Sequence, residues 1–281
     1  MPSKKIFFLT LLAMIAFAGN SLLCRFAFKH TAIDAASFTA VRIVSGAVAL
    51  WLIVRLRGGV KANAGNWLSA FALFCYVAAF SFAYIQLPAA TGALLLFGSV
   101  QATMISYGLV KGEGMALRQT LGFIAACCGL VALLLPGLSA PPLAESLLML
   151  AAGIAWGVYS LRGKSHGDAT QITAGNFLRA SLFAMMISAL MFTRASLDSA
   201  GIIYAILSGA LTSGVGYALW YMALPGLRAT SAATVQLSVP VITAAGGILF
   251  LAEPITPRFI ISSIAILGGV ATVIMAKQQA K

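Results

Sequence analysis

Charge is scarce in this chain: of 281 residues only 9% are Asp, Glu, Lys or Arg, and just six of those are acidic. A soluble domain carries roughly a quarter charged residues, so a water-exposed globule is excluded. The four cysteines, Cys24, Cys75, Cys127 and Cys128, lack metal-ligand spacing and read as small hydrophobes. There is no HExxH, no GxSxG and no intramembrane Asp pair, which leaves an enzymatic reading and any cofactor without support. A channel is disfavoured because neither a TVGYG-like filter nor a ring of like charge is found. Period-two strands of about ten residues are missing too, which excludes an outer-membrane barrel.

What remains is apolar, with 61% hydrophobic residues and a mean hydropathy of +0.99. Breaking the chain at clusters of charge, Pro and Gly leaves ten segments: 6–24, 35–54, 67–85, 89–110, 119–136, 143–161, 171–193, 200–221, 229–250 and 259–276. Each is close to the roughly 20 residues that span a bilayer. Backbone facing lipid must satisfy its own hydrogen bonds, so each segment is expected to be a helix. The first is longer than the 7–15-residue core of a signal peptide, and no small-residue cleavage site follows before Arg25, so it is expected to be retained as helix one.

A net charge of +12 would suggest nucleic acid in a soluble chain. Here its distribution points to the lipid bilayer and not to nucleic acid. Twelve of the eighteen Lys and Arg fall on one side of the predicted spans; Arg25, Lys29, Arg194 and Arg258 fall on the other, and Arg42 and Arg179 lie inside helices. The positive-inside rule then predicts that both termini are cytoplasmic. Of the acids, Glu113 and Asp168 fall inside, whereas Asp34, Glu145, Asp198 and Glu253 fall outside.

The chain also matches itself. A shift of 140 residues aligns Glu113 with Glu253, Arg118 with Arg258 and Gly129 with Gly269, and a shift of 137 aligns Tyr84, Leu87 and Pro88 with Tyr221, Leu224 and Pro225, and Arg42 with Arg179. The expectation is two five-helix units, residues 1–139 and 140–281. Because five is odd, the second unit enters the membrane from the opposite side, the inverted repeat that recurs in transporters built around a midplane site.

These features resemble the drug/metabolite transporter superfamily, specifically its EamA-type members. The residues that carry the resemblance are the Leu-Pro turn after helices three and eight, the links at Lys111-Gly112-Glu113 and Ala252-Glu253-Pro254, the stretch from Leu87 to Gly98, and Trp156-Gly157. The resemblance implies ten helices around a central cavity and alternating access in a bacterial cytoplasmic membrane. Within the superfamily the chain is most similar to the YddG-type exporters, which implies a small-molecule cargo of aromatic and other neutral amino acids. A monomer suffices for this. The competing reading is export of drug-like cations held by cation–π attraction.

Polar groups inside membrane helices usually face protein or a wet cavity. Candidate cargo contacts are Asn20, Tyr84, Gln101, Trp156, Tyr159, Tyr217, Trp220 and Gln236, an aromatic and amide lining suited to a zwitterion with an apolar side chain. Bland roles stand beside these. Tyr84, Trp220 and Tyr221 also fit an interfacial belt, Gln101 and Gln236 also fit helix–helix hydrogen bonds, and Gly153 and Gly157 suit close helix packing.

Arg42 and Arg179 sit about 12 Å in from opposite surfaces, at 1.5 Å per residue. Either each meets a substrate carboxylate in one access state, or each pairs with helix-end carbonyls or snorkels; the second reading is the simpler. With no acid at depth, and His30 and His166 assigned to loops, a proton or sodium relay has little support. Glu113 and Glu253 are expected to pair with Arg118 and Arg258, five residues on.

Overall fold

The computed structural model describes residues 4–58, 64–112, 114–137, 140–163, 168–227 and 235–279. Each predicted segment corresponds to a helix: α1 Lys4–His30, α2 Ala35–Leu56, α3 Trp67–Ala83, α4 Ala89–Val110, α5 Leu117–Leu134, α6 Leu143–Arg162, α7 Ala169–Leu190, α8 Ser199–Gly226, α9 Ser238–Leu251 and α10 Pro257–Gln279. Eight are long and apolar enough to cross a membrane; α3 and α9 are apolar but shorter, at 17 and 14 residues. No strand occurs among the described residues.

Four helices begin where a polar side chain takes over free backbone donors. Asp34 accepts from the amides of Ala36 and Ser37 at the start of α2, and Asp168 does the same for Thr170 and Gln171 at the start of α7. Asn66 caps α3 through Ser69, and Asp198 caps α8 through Gly201. Three of the scarce acids therefore serve as N-caps, where a carboxylate satisfies donors that lipid cannot.

Burial follows from the same chemistry. Leu190, Leu249 and Ile264 are more than two-thirds exposed, while Asn20, Thr39, Arg42, Gln101 and Asn176 are buried. Exposed apolar surface this extensive marks a lipid-facing protein. Packing between helices has an internal order. Helix α2 lies on α7, α4 on α9 and α5 on α10. The pairs α3–α6, α3–α7 and α4–α6 are matched by α8–α1, α8–α2 and α9–α1, so exchanging each helix with the one five places away preserves these neighbours.

Helix α8 is irregular. Between α-helical ends it passes through a π-helical stretch, Leu207–Val215, of the kind found at functional sites. Gly209 lies in this stretch against α2, where an added Cβ would stand 2.1 Å from the Arg42 carbonyl.

Several sequence expectations are corrected. Helix α1 runs to His30, so Arg25, Lys29 and His30 are helical rather than in a link. Glu145 lies in the first turn of α6. Glu253 pairs with Arg25, not Arg258, whose guanidinium donates to the carbonyls of Leu135 and Pro136. Glu113, His166 and residues 229–234 of the ninth expected segment lie outside the described residues.

Candidate functional site

Helices α1, α3, α4, α6 and α8, with Gln236 just ahead of α9, converge on an interior cavity lined by Phe17, Asn20, Ser21, Tyr76, Phe80, Leu96, Phe97, Trp156, Thr212, Tyr217 and Gln236. Trp156 is its centre. The indole stacks on Tyr159 at 5.4 Å and on Tyr217 at 5.1 Å, and lies 4.9 Å from Tyr76. Phe17 meets Tyr217 and Trp220 edge-on, and Phe177 closes on Tyr217 from behind.

A polar seam runs along one wall. Asn20 Oδ1 accepts from Ser208 Oγ at 2.7 Å and from Thr212 Oγ1 at 3.4 Å, while its Nδ2 donates to Tyr76 Oη at 3.4 Å. Ser208 and Thr212 are a turn apart in the π-helical stretch, and both reach Asn20. Below Trp156, the Tyr159 hydroxyl donates to Thr173 and accepts from Asn176, whose Oδ1 accepts the Asn66 amide.

The cavity is about 20 Å³, room for roughly one water, against the roughly 300 Å³ or more of ordinary ligand sites. Any organic cargo therefore requires the rings to part.

Residues 143–275, which span α6 to nearly the end of α10, match the EamA-like transporter family. An uncharacterized protein of Pseudomonas aeruginosa is 54% identical over 275 residues, covering 98% of this chain and 96% of its own. Proteins named as uncharacterized transporters in Archaeoglobus fulgidus and Bacillus subtilis are 26% and 23% identical, over 96% and 83% of this chain and 96% and 85% of their own. The chain belongs to the EamA-like transporter family. It is thus a multi-pass membrane protein of the drug/metabolite transporter superfamily. A solved crystal structure shares the fold with a TM-score of 0.69 at 15% identity, over 98% of this chain and 99% of that one.

In this EamA-family transporter, side-chain contacts tie helices together at both ends of the bundle. On the face distal to the N-terminus, a left-handed turn at Ala252, with φ 50°, carries Glu253 back toward α4. Its Oε2 accepts the Ala89 amide at 2.7 Å, and its Oε1 accepts from Arg25 Nε at 3.1 Å. Arg25 also donates to the carbonyls of Tyr84 and Ile85, and Lys29 donates to that of Leu251. A cavity of about 250 Å³ opens beside this cluster, with Gln86, Thr91, Glu253 and Phe259 in its wall. On the proximal face Arg162 donates to Ser69 and Asn66, and Arg179 to the carbonyls of Ala64 and Gly175.

The candidate residues therefore separate. Asn20, Trp156, Tyr217 and Gln236 line the central cavity, with Tyr159 and Trp220 supporting its rings. Tyr84 is fully buried at the α3–α4 turn, donating to the Ala89 carbonyl. Gln101 is buried on α4 outside the lining. Sequence reasoning passed over Phe17, Phe80 and Thr212. Phe17 and Asn20, like Tyr76 and Phe80, are one turn apart, so helical spacing from a polar candidate was the available signal.

Proposed function

We propose that this protein exports aromatic and other neutral amino acids across the bacterial cytoplasmic membrane by alternating access, with residues 1–139 and 140–281 as two inverted halves and both termini in the cytoplasm. The observation that carries this reading is the central cluster itself. A tryptophan stacked between two tyrosines lies beside an Asn-Ser-Thr-Tyr seam, and residues from both halves contribute. The rings supply contact area for an apolar side chain and the seam orients a polar backbone. In this mechanism the distal face, with Arg25 and Glu253, is the outer gate, and the proximal ties around Arg162 and Arg179 are the inner one. Each access state breaks one set, and the rings part as it does.

Among the described residues no carboxylate lies on the cavity wall, which supports movement down the cargo's own gradient rather than through a buried proton relay. The competing cargo, a drug-like cation, finds rings for cation–π contact. It also meets the Arg42 guanidinium 4.6 Å from the Phe80 ring, a charge that repels it.

The deciding experiment is counterflow of labelled Phe, Thr, Met, Ala and Lys into proteoliposomes, with Trp156→Ala alongside. Uptake of neutral residues without a proton gradient, lost in the folded variant, is the expected result. No uptake across the panel by folded protein overturns the amino-acid assignment.

A further inference from the structure

Arg42 and Arg179 occupy matching sequence positions but live in different surroundings. Arg179 is half-buried and donates to two carbonyls, that of Ala64 in the link before α3 and that of Gly175 in its own helix. Arg42 is 1% exposed in the middle of the bundle. Its Nη2 donates to Tyr76 Oη at 3.2 Å, while Nε and Nη1, both buried, have no hydrogen-bond partner among the described residues. Among the described residues Glu253 forms the one ion pair, and it is with Arg25. The guanidinium is held instead over the rings of Phe80, at 4.6 Å, and Tyr76, at 5.6 Å.

A guanidinium that is always charged is costly to bury without an anion. Cation–π contacts offset part of that cost but leave donors aimed at nothing. Both rings that cover Arg42 also line the central cavity, so the charge stands one side chain behind its wall. Tyr76 Oη already accepts from Arg42 and from Asn20, which leaves its own proton free to donate.

We infer that Arg42 is the anion anchor of the transport site: when the rings part, its free donors and the Tyr76 hydroxyl take the carboxylate of the cargo, and Arg179 has no such role. The inference rests on the transport reading above and adds that the cargo must carry a carboxylate. A positively charged or amidated analogue of the same shape gains no such contact and is disfavoured by the buried charge.

The test compares phenylalanine, 3-phenylpropionate and phenylalaninamide as ligands of the purified full-length protein, by thermal shift and by tryptophan fluorescence, in wild type, Arg42→Gln and Arg42→Lys. The two carboxylates are expected to bind and stabilise the wild type, and the amide to do neither. Arg42→Gln should weaken carboxylate binding about 10- to 100-fold, the worth of one charge-assisted hydrogen bond. Arg42→Lys keeps the charge and should lose less. If Arg42→Gln does not fold, the wild-type preference for carboxylate over amide decides alone.

Equal binding of phenylalanine and its amide, or unchanged affinity in folded Arg42→Gln, overturns the anchor even if amino acids are counterflowed. Arg42-dependent binding of 3-phenylpropionate without counterflow of any amino acid leaves the anchor standing and overturns the amino-acid cargo.

Discussion

Replacing Glu253 by Gln should open the distal face. The carboxylate is 9% exposed and serves two donors at once, the Ala89 amide at the start of α4 and the Arg25 guanidinium on α1. A Gln side chain keeps one carbonyl oxygen and loses the charge, so one contact is lost and the other becomes neutral. Hydrogen bonds to charged groups contribute about 1.5–3 kcal/mol each, which puts the loss at about 2–3 kcal/mol. Arg25 retains the carbonyls of Tyr84 and Ile85, so it is not stranded, and the helices should stay folded. At 1.4 kcal/mol per tenfold, the open population rises about 30- to 150-fold. Cys24 reports this directly, because it is fully buried on α1 one residue before Arg25. With Cys75, Cys127 and Cys128 replaced by Ala, a membrane-impermeant maleimide applied outside intact cells should label Cys24 slowly in the Glu253 protein and faster by that factor in Glu253→Gln. Labelling no faster than in the parent, in a variant with unchanged helical content, refutes the claim that this cluster holds the distal gate.

Two further predictions concern packing and capping. At Gly153 an added Cβ would stand 1.7 Å from Ser99 Oγ and 2.6 Å from the Leu96 carbonyl, so Gly153→Ala should push α6 off α4 and lower stability by about 1–3 kcal/mol. Gly268 has nothing within 4 Å of that point, so Gly268→Ala should be neutral or stabilising by up to about 1 kcal/mol; thermal unfolding in detergent checks both. At Asp34 burial alone would raise the carboxyl's pKa, but hydrogen bonds from Ser37, Ser196 and Ala36 outweigh it and hold the group below its ordinary value of 3.8. A depressed carboxyl stabilises the fold above the ordinary value, and that contribution is lost as pH falls through the lowered one. The difference in melting temperature between wild type and Asp34→Asn should therefore be present at neutral pH and shrink below 3.8. A gap that stays constant with pH counts against this role for the carboxylate.

Apolar runs broken at charge, Pro and Gly located each of the ten helices, because a bilayer demands about 20 apolar residues and an internally satisfied backbone wherever the chain crosses. The shift that aligns Arg42 with Arg179 was likewise legible without coordinates, as were the aromatic and amide side chains in apolar surroundings. Helix ends were less so. The apolar run stops at Cys24, yet α1 continues through Arg25 and Lys29 because Glu253 and backbone carbonyls receive their charges. That partner lies 228 residues away, and pairing within five residues was the only reading local sequence allowed. The difference between the two buried arginines was equally invisible, since identical residues at matching positions carry no mark of what lies opposite them. Only packing put the Ala64 carbonyl beside Arg179 and two aromatic rings over Arg42, and with that left Arg42 with donors to spare.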